Sequence, residues 1–326
     1  MRETVGESES VSDRGEFELI DAIGRRLPQG KQVIVPPGDD AAVVLIDQTP
    51  TVISTDVLVS GVHFRTDWAD AYDIGRRAAA ATLADLVAMG SQPVALVVAL
   101  VAPAETESAW VLRLTDGLRD EAEQVKASIV GGDISRGDQL SITVTGIGSL
   151  RGDPVLRSGA KVGDYVAIAG RVGWAEAGLA VLTRGFGTPR ALVEAYRRPE
   201  IDYAVALKAA AGAHAMCDVS DGLLADLGHI AEGSDVVIDV DSSSIEVAEP
   251  IAAVAAAYGM DPLVWVLGGG HDHAFVATFA PKKRLPKGFV KIGSVAERGD
   301  GAARVTVDNR PWSGSAGHAH YRQREN

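Results

Sequence analysis

Aspartates recur in this chain beside glycines and hydroxyl residues, a donor set suited to hard divalent cations. Gly38-Asp39-Asp40-Ala41-Ala42 sets two carboxylates side by side at the entry to an apolar run, where their repulsion favours a bound cation. Ser54, Thr55 and Asp56 place three oxygen-bearing side chains in succession inside the apolar stretch Val52–Val59. A solvated strand face would account for alternate residues but not for all three. On a helix expected over Asp73–Ala88, Asp85 falls in line with Ile74, Ala78, Ala81 and Ala88. A carboxylate on such a stripe is unfavourable unless it is paired or holds a metal. Val130-Gly131-Gly132-Asp133 takes a strand into a glycine pair, where backbone can approach a phosphate and an Asp can hold a metal beside it. In Cys217-Asp218-Val219-Ser220-Asp221-Gly222, Ser220 is the expected N-cap of a helix. Such a helix start offers free N–H groups to phosphate, with Asp218 and Asp221 on either side to carry metals. Last, Gly270-His271-Asp272-His273 is echoed by His318-Ala319-His320. On a strand, each His-x-His would turn two imidazoles to one face as zinc sites do, although no Cys or Glu completes a known spacing.

These residues need a frame to bring them together. With 326 residues, 46% of them hydrophobic, the chain is long enough for two domains with cores of their own. The polar stretch 1–14 has no apolar periodicity and reads as a disordered tail, not a signal peptide. A short helix is expected from Glu16 to a break at Pro28–Gly30, then strands at Ala41–Ile46 and Thr51–Val59. Helices at Asp73–Ala88 and Glu105–Ala127 alternate with strands at Val94–Val101, Ser128–Val130 and Leu140–Gly148. The Gly-, Arg- and Pro-rich segment Arg151–Gly163 marks the boundary, giving an N-terminal domain over 15–150 and a C-terminal domain over 151–326. The second domain repeats the mixture, with helices Trp174–Thr183, Asp202–Ala211 and Val247–Tyr258 among strands Asp164–Ala169, Ala213–Cys217, Val236–Val240, Ala274–Phe279, Val290–Ile292 and Arg304–Val307. The fold class is mixed α/β in both halves.

Charge and composition narrow the partners. The formal net charge of -13, from 31 basic and 44 acidic residues, argues against a nucleic-acid surface. No apolar run is long enough to span a membrane, and a single Cys217 suits a reducing, cytoplasmic setting. Gly24 to Gly30-Lys31-Gln32 lacks the spacing and the hydroxyl residue of a Walker A loop. No dinucleotide fingerprint, kinase glycine loop or nucleophile elbow is present.

Taken in order, GDDAA, STDVLVSGVHF, ADLVAMG, VGGDIS, RSGAKVGD and DVSDGL resemble the thiamine-monophosphate kinases over about Glu16 to Tyr321. That family belongs with aminoimidazole-ribonucleotide synthetase and selenophosphate synthetase. The resemblance implies two α/β domains, N-terminal sheets paired across a homodimer, and ATP in a cleft between subunit and domain surfaces. It implies direct transfer from MgATP to thiamine monophosphate. Carried over by position, Asp40, Ser54, Thr55, Asp56, Asp85, Asp133, Asp218 and Asp221 would hold several Mg²⁺ ions. Asp56, Asp85, Asp133 and Asp218 among them would be catalytic through those metals. Gly132, Asp133, Arg157 and Ser220 would contact ATP, and His63, His271, His318 and Tyr321 the acceptor. His271 stands where the family has Glu, and His318 where it has Trp, both on the acceptor side. A titrating His271 would then weaken acceptor binding as pH falls from about 7 to 6. An aminoimidazole-ribonucleotide synthetase-like ligase and a non-catalytic ATP-binding scaffold are the competing readings, and selenophosphate synthetase would need a reactive cysteine near the N-terminus.

Overall fold

The computed structural model describes residues 33–35, 39–40, 42–46, 49–281, 284–299 and 304–318. The tail at 1–14, the helix expected from Glu16, Gly38, Ala41, His320 and Tyr321 lie outside them.

Two sheets carry the chain. The first is built from β1 (Val33–Val35), β2 (Ala42–Ile46), β3 (Thr49–Val59), β4 (Gln92–Ala102), β5 (Ser128–Arg136) and β6 (Ser141–Ser149), in the order β1-β2-β3-β6-β4-β5. All neighbours are antiparallel except β4 and β5. Helix α1 (Ala71–Ala88) and helix α2 (Ser108–Gln124) cover one face. The second sheet takes β7 (Tyr165–Ala169), β8 (Ala213–Val219), β9 (Val236–Val240), β10 (Ala274–Phe279), β11 (Val290–Glu297), β12 (Val305–Val307) and β13 (Arg310–Pro311). Its order is β13-β12-β9-β11-β7-β10-β8. The helices here are α3 (Trp174–Thr183), α4 (Arg190–Arg197), α5 (Tyr203–Ala210), α6 (Leu223–Gly233), α7 (Glu249–Tyr258) and α8 (Leu263–Gly268).

The helix α1 is alanine-rich and narrow, and it lies between the two sheets. Asp70 caps it by accepting the Asp73 N–H at 2.8 Å. Its Leu83, Ala84 and Val87 share one buried cluster with Leu96 and Ile142 of the first sheet and with Ala206, Met216 and Phe275 of the second half. Against α2 it packs at backbone distance: a Cβ on Gly75 would lie 2.1 Å from the Leu114 carbonyl oxygen, and one on Gly117 2.0 Å from that of Tyr72. Glu121 of α2 is buried and accepts from Arg76 at 2.5 Å and from Tyr203 at 2.7 Å, tying α5 to the pair.

Among the described residues, nothing covers the opposite face of the first sheet. Val57 and Val97 are exposed there, and on the edge strand β5 Val130 and Ile134 are 63% and 71% exposed. No described helix is long and apolar enough to cross a membrane.

Three sequence expectations are corrected. The strand expected at Ser128–Val130 does not stop at the glycine pair, because β5 runs on through Gly131, Gly132 and Asp133 to Arg136. Ser220 is not the helix cap: α6 starts at Leu223 with Gly222 as N-cap and no side-chain bond. His271 and His273 lie on no strand, since both take left-handed φ angles (67° and 50°) in the turn leading into β10.

Candidate functional site

The buried carboxylates meet where α1 passes between the sheets. Asp85 comes from the last turn of α1, Asp40 from the loop before β2, and Asp218 from the end of β8. One carboxylate oxygen from each lies within 4.8 Å of the others. The stripe position read from the sequence therefore does place Asp85 against other acids.

Each acid is fixed by a neighbour. Ser54 Oγ donates to Asp85 Oδ2 at 2.5 Å, Thr82 Oγ1 donates to Asp56 Oδ2 at 2.7 Å, and His273 Nδ1 lies 2.8 Å from Asp218 Oδ2. The Arg157 guanidinium is bonded to Asp40 Oδ1, and its backbone N–H donates to Asp39 Oδ2 at 2.8 Å. This brings the segment between the two halves onto the N-terminal loop. Asp40 Oδ2 is buried without a hydrogen-bond partner among the described residues.

Strand alternation sorts the Ser-Thr-Asp run. Ser54 and Asp56 face α1, whereas the exposed Thr55 is on the other face, its hydroxyl on the Val144 carbonyl at 3.2 Å and Thr145 Oγ1 at 2.9 Å. The Thr55 side chain does not join the cluster, because successive strand side chains point to opposite faces. Gly132 and Asp133 are likewise apart. Asp56 pairs with Val144, Val144 with Val98 and Val98 with Gly132, which puts Gly132 three strands away, about 14 Å. Asp133 is exposed and accepts from Ser135 Oγ at 2.8 Å. A Cβ on Gly132 would lie 1.9 Å from the Val98 carbonyl oxygen, so the strand pairing itself demands that glycine.

Electrostatics follow from burial. Desolvation pushes Asp40 up to about 8, against the pull of Arg157. Asp85 is held well above the usual carboxylate range by burial and then by the charges of Asp56, Asp218 and Asp40. Asp56 is raised by burial too. Such a cluster is starved of positive charge, and its hard oxygens and orphaned Asp40 Oδ2 fit a divalent ion such as Mg²⁺.

The loop after β8 is set by Asp226, whose Oδ2 accepts the N–H groups of Asp221 and Gly222 at 3.1 Å each. Asp221, Asp226 and His229 form a second close group of donor atoms. The His271 N–H donates to the Ser220 carbonyl at 2.8 Å, and the His318 N–H to that of Asp221 at 2.8 Å. Both departures from the family pattern thus close on the loop that carries Ser220 and Asp221.

Two adjoining cavities, of about 160 and 260 Å³, open beside the acids and share His63, Arg77 and His271. The smaller reaches Asp56, Ser220 and Asp221; the larger is walled by Trp68 and Tyr196. Arg77, Trp68 and Tyr196 were not among the sequence candidates. Trp68 and Tyr196 come from loop and helix α4, whose meeting edge-on at 6.0 Å no local pattern announces. His271 is half-buried, and desolvation first and then Arg77 hold it well below its ordinary value, against the expectation that it titrates between pH 7 and 6. Cys217 is fully buried, its thiol pushed up by burial, and so is unsuited to nucleophilic work.

Comparison with known proteins agrees with this layout. Residues 38–150 match the family model "AIR synthase related protein, N-terminal domain", and residues 161–305 match its C-terminal domain. A thiamine-monophosphate kinase of Mycobacterium tuberculosis is 46% identical over 95% of this chain and 93% of its own length. One from Corynebacterium glutamicum is 40% identical over 92% of each chain. The solved structure "AaThiL complexed with AMPPCP and TMP" is similar with a TM-score of 0.88 at 30% identity, covering 97% of this chain and 100% of that one.

Proposed function

The chain belongs to the AIR synthase-related family, and from that membership we propose that it is a kinase transferring the γ-phosphoryl group of ATP to thiamine monophosphate, giving thiamine diphosphate. The observation that carries this reading is the convergence of Asp40, Asp85 and Asp218 near a cavity that Asp56 lines and that adjoins another walled by Trp68 and Tyr196. An oxygen of the acceptor phosphate forms the new bond to the γ-phosphorus. The bond from that phosphorus to the β–γ bridging oxygen breaks, and ADP leaves with the electron pair. No protein side chain need become phosphorylated.

Asp40, Asp85 and Asp218 would hold Mg²⁺, with Ser54, Asp56 and Asp221 next to them. Bound there, Mg²⁺ supplies the positive charge that lets two anionic substrates approach and stabilises charge developing in the transfer. The chain's own groups orient the acids: Ser54 on Asp85, Thr82 on Asp56 and His273 on Asp218. Arg157, paired with Asp40, has the planar fork that suits a nucleotide phosphate, and Ser220 borders the smaller cavity. His63 and His271 line the acceptor space, with His318 behind the Asp221 turn.

The active species is a homodimer formed through the open face of the first sheet. Its exposed Val57, Val97 and Val130 support this, since large apolar faces mark contact surfaces. Gly132 and Asp133 lie on the edge strand of that sheet, Asp133 on the open face, so their assignment to ATP and metal rests on a site completed across the dimer. The domain division at 150 and 151 is supported by the two sheets, which split there. A lone, buried cysteine suits the reducing cytoplasm.

The test is direct. Protein incubated with thiamine monophosphate and MgATP is expected to yield equal amounts of thiamine diphosphate and ADP; ADP without thiamine diphosphate would reject the acceptor.

A further inference from the structure

Arg77, Ala81 and Asp85 lie at i, i+4 and i+8 on α1, along one face. At 1.5 Å per residue, the two ends of this row are about 12 Å apart along the helix axis. One end is the carboxylate cluster. The other is a guanidinium only 5% exposed, stacked 4.8 Å over the Tyr196 ring and donating from Nη1 to the Tyr196 carbonyl at 3.2 Å. Arg77 forms no ion pair with any described residue, although a guanidinium carries five N–H donors and stays protonated at neutral pH. Asp272 acts on it only from beyond ion-pairing distance, and a buried guanidinium so weakly balanced gains when an anionic ligand completes it. This one lines both cavities, and so faces ligand space on the Asp56 side and on the Trp68 side alike. Ala81 between the ends carries nothing beyond Cβ and leaves the smaller cavity open.

We propose that Arg77 is the receptor for the acceptor's own phosphate, and that it sets the preference for a phosphorylated thiamine over the free alcohol. The proposal rests on the kinase reading. The buried fork binds two phosphate oxygens and leaves the third turned along the helix toward the carboxylate end, where the γ-phosphoryl group arrives. Tyr196 keeps the fork flat against its ring.

Calorimetry with thiamine monophosphate and with thiamine, in the presence of Mg²⁺ and a non-hydrolysable ATP analogue, tests this. Charge-assisted hydrogen bonds of this kind correspond to about 10–100-fold in affinity. Wild type is expected to prefer the monophosphate by that factor, and Arg77→Gln to lose the preference while binding thiamine as before. The KM for thiamine monophosphate should rise with little change in that for ATP. A variant that keeps the preference, or that weakens both ligands equally because Arg77 merely supports Tyr196, overturns the proposal. Should Arg77→Gln fail to fold by circular dichroism, Arg77→Lys carries the test. It keeps the charge without the fork, so a reduced preference is expected and an unchanged one overturns. Failure of the kinase reading registers separately, as absent turnover of thiamine monophosphate with MgATP by a wild type that still shows the preference.

Discussion

Asp85, which the proposed transfer needs, works against the stability of its own fold. Its carboxyl is buried among Asp40, Asp56 and Asp218, and the charged form is disfavoured there. Asp85→Asn should therefore lower turnover by about 10²–10⁴ by weakening metal binding at the transfer site. In chelator the same variant should melt higher than wild type. The sign with pH follows from Asp40, whose carboxyl is raised from 3.8 to about 8 in the folded chain. Between those values the folded state holds more protons than the unfolded one, so stability is present at low pH and is lost as pH rises through about 8. Asp85 is likewise raised, by burial and by its acidic neighbours, so Asp85→Asn removes a second carboxyl that resists ionising in the fold, and its advantage in scanning calorimetry should grow from pH 6 to 8. Equal melting temperatures at all pH values would contradict this account. His271 gives a second prediction. It stays neutral, so the ratio of thiamine monophosphate KM values for His271→Gln and wild type should hold constant from pH 7 to 6, which cancels the substrate phosphate's own titration near 6. The acids were legible in the sequence because a carboxylate on an apolar stripe has few reasons to be there. Arg77 was not, since its apolar surroundings come from Tyr196 and Trp68, more than a hundred and about ten residues away along the chain.

Most elements were legible from their periodicity, as with Trp174–Thr183 and Val236–Val240, which begin and end where the pattern does. Others were read too short or too long. The strand β5 was stopped at Val130 because glycines usually end strands; here the edge strand keeps them where it presses on β4. The expected helix Glu105–Ala127 loses three residues at each end, to a turn after Pro103 and to Lys126, whose left-handed φ of 61° takes the chain into β5. Helix α4 and the short α8 went unseen, the first a single amphipathic patch and the second barely more than a turn. The α1–α2 contact belongs to this scale. Gly117→Ala would drive a methyl into the Tyr72 carbonyl, and overpacking of this kind costs about 1–3 kcal/mol. Because α1 carries both Arg77 and Asp85, the variant should lose activity along with several degrees of melting temperature. A fully active, fully stable Gly117→Ala enzyme would mean that the helices can separate freely.

For the molecule as a whole, the open face of the first sheet makes assembly the main expectation. Val97 is exposed on that face and touches none of the buried acids, so Val97→Lys should break the dimer, yielding a monomer by light scattering that is folded but inactive. An active monomer would remove Gly132 and Asp133 from the site. The two-domain mixed α/β plan was legible in the length and the alternation of elements, but the use of the segment Arg151–Gly163 as a strap, with Arg157 on Asp39 and Asp40, was not, because only folding brings those residues within reach. That strap has a consequence for biogenesis. Asp40 and Asp85 leave the ribosome early, while Asp218 follows more than a hundred residues later. Until it arrives, the nascent N-terminal half carries Asp40 and Asp85 with Arg157 as their close cation among the described residues, and without the third acid of the cluster. On the proposed reading, metal capture thus waits for the second half of the chain and is withheld from any chain truncated before Asp218.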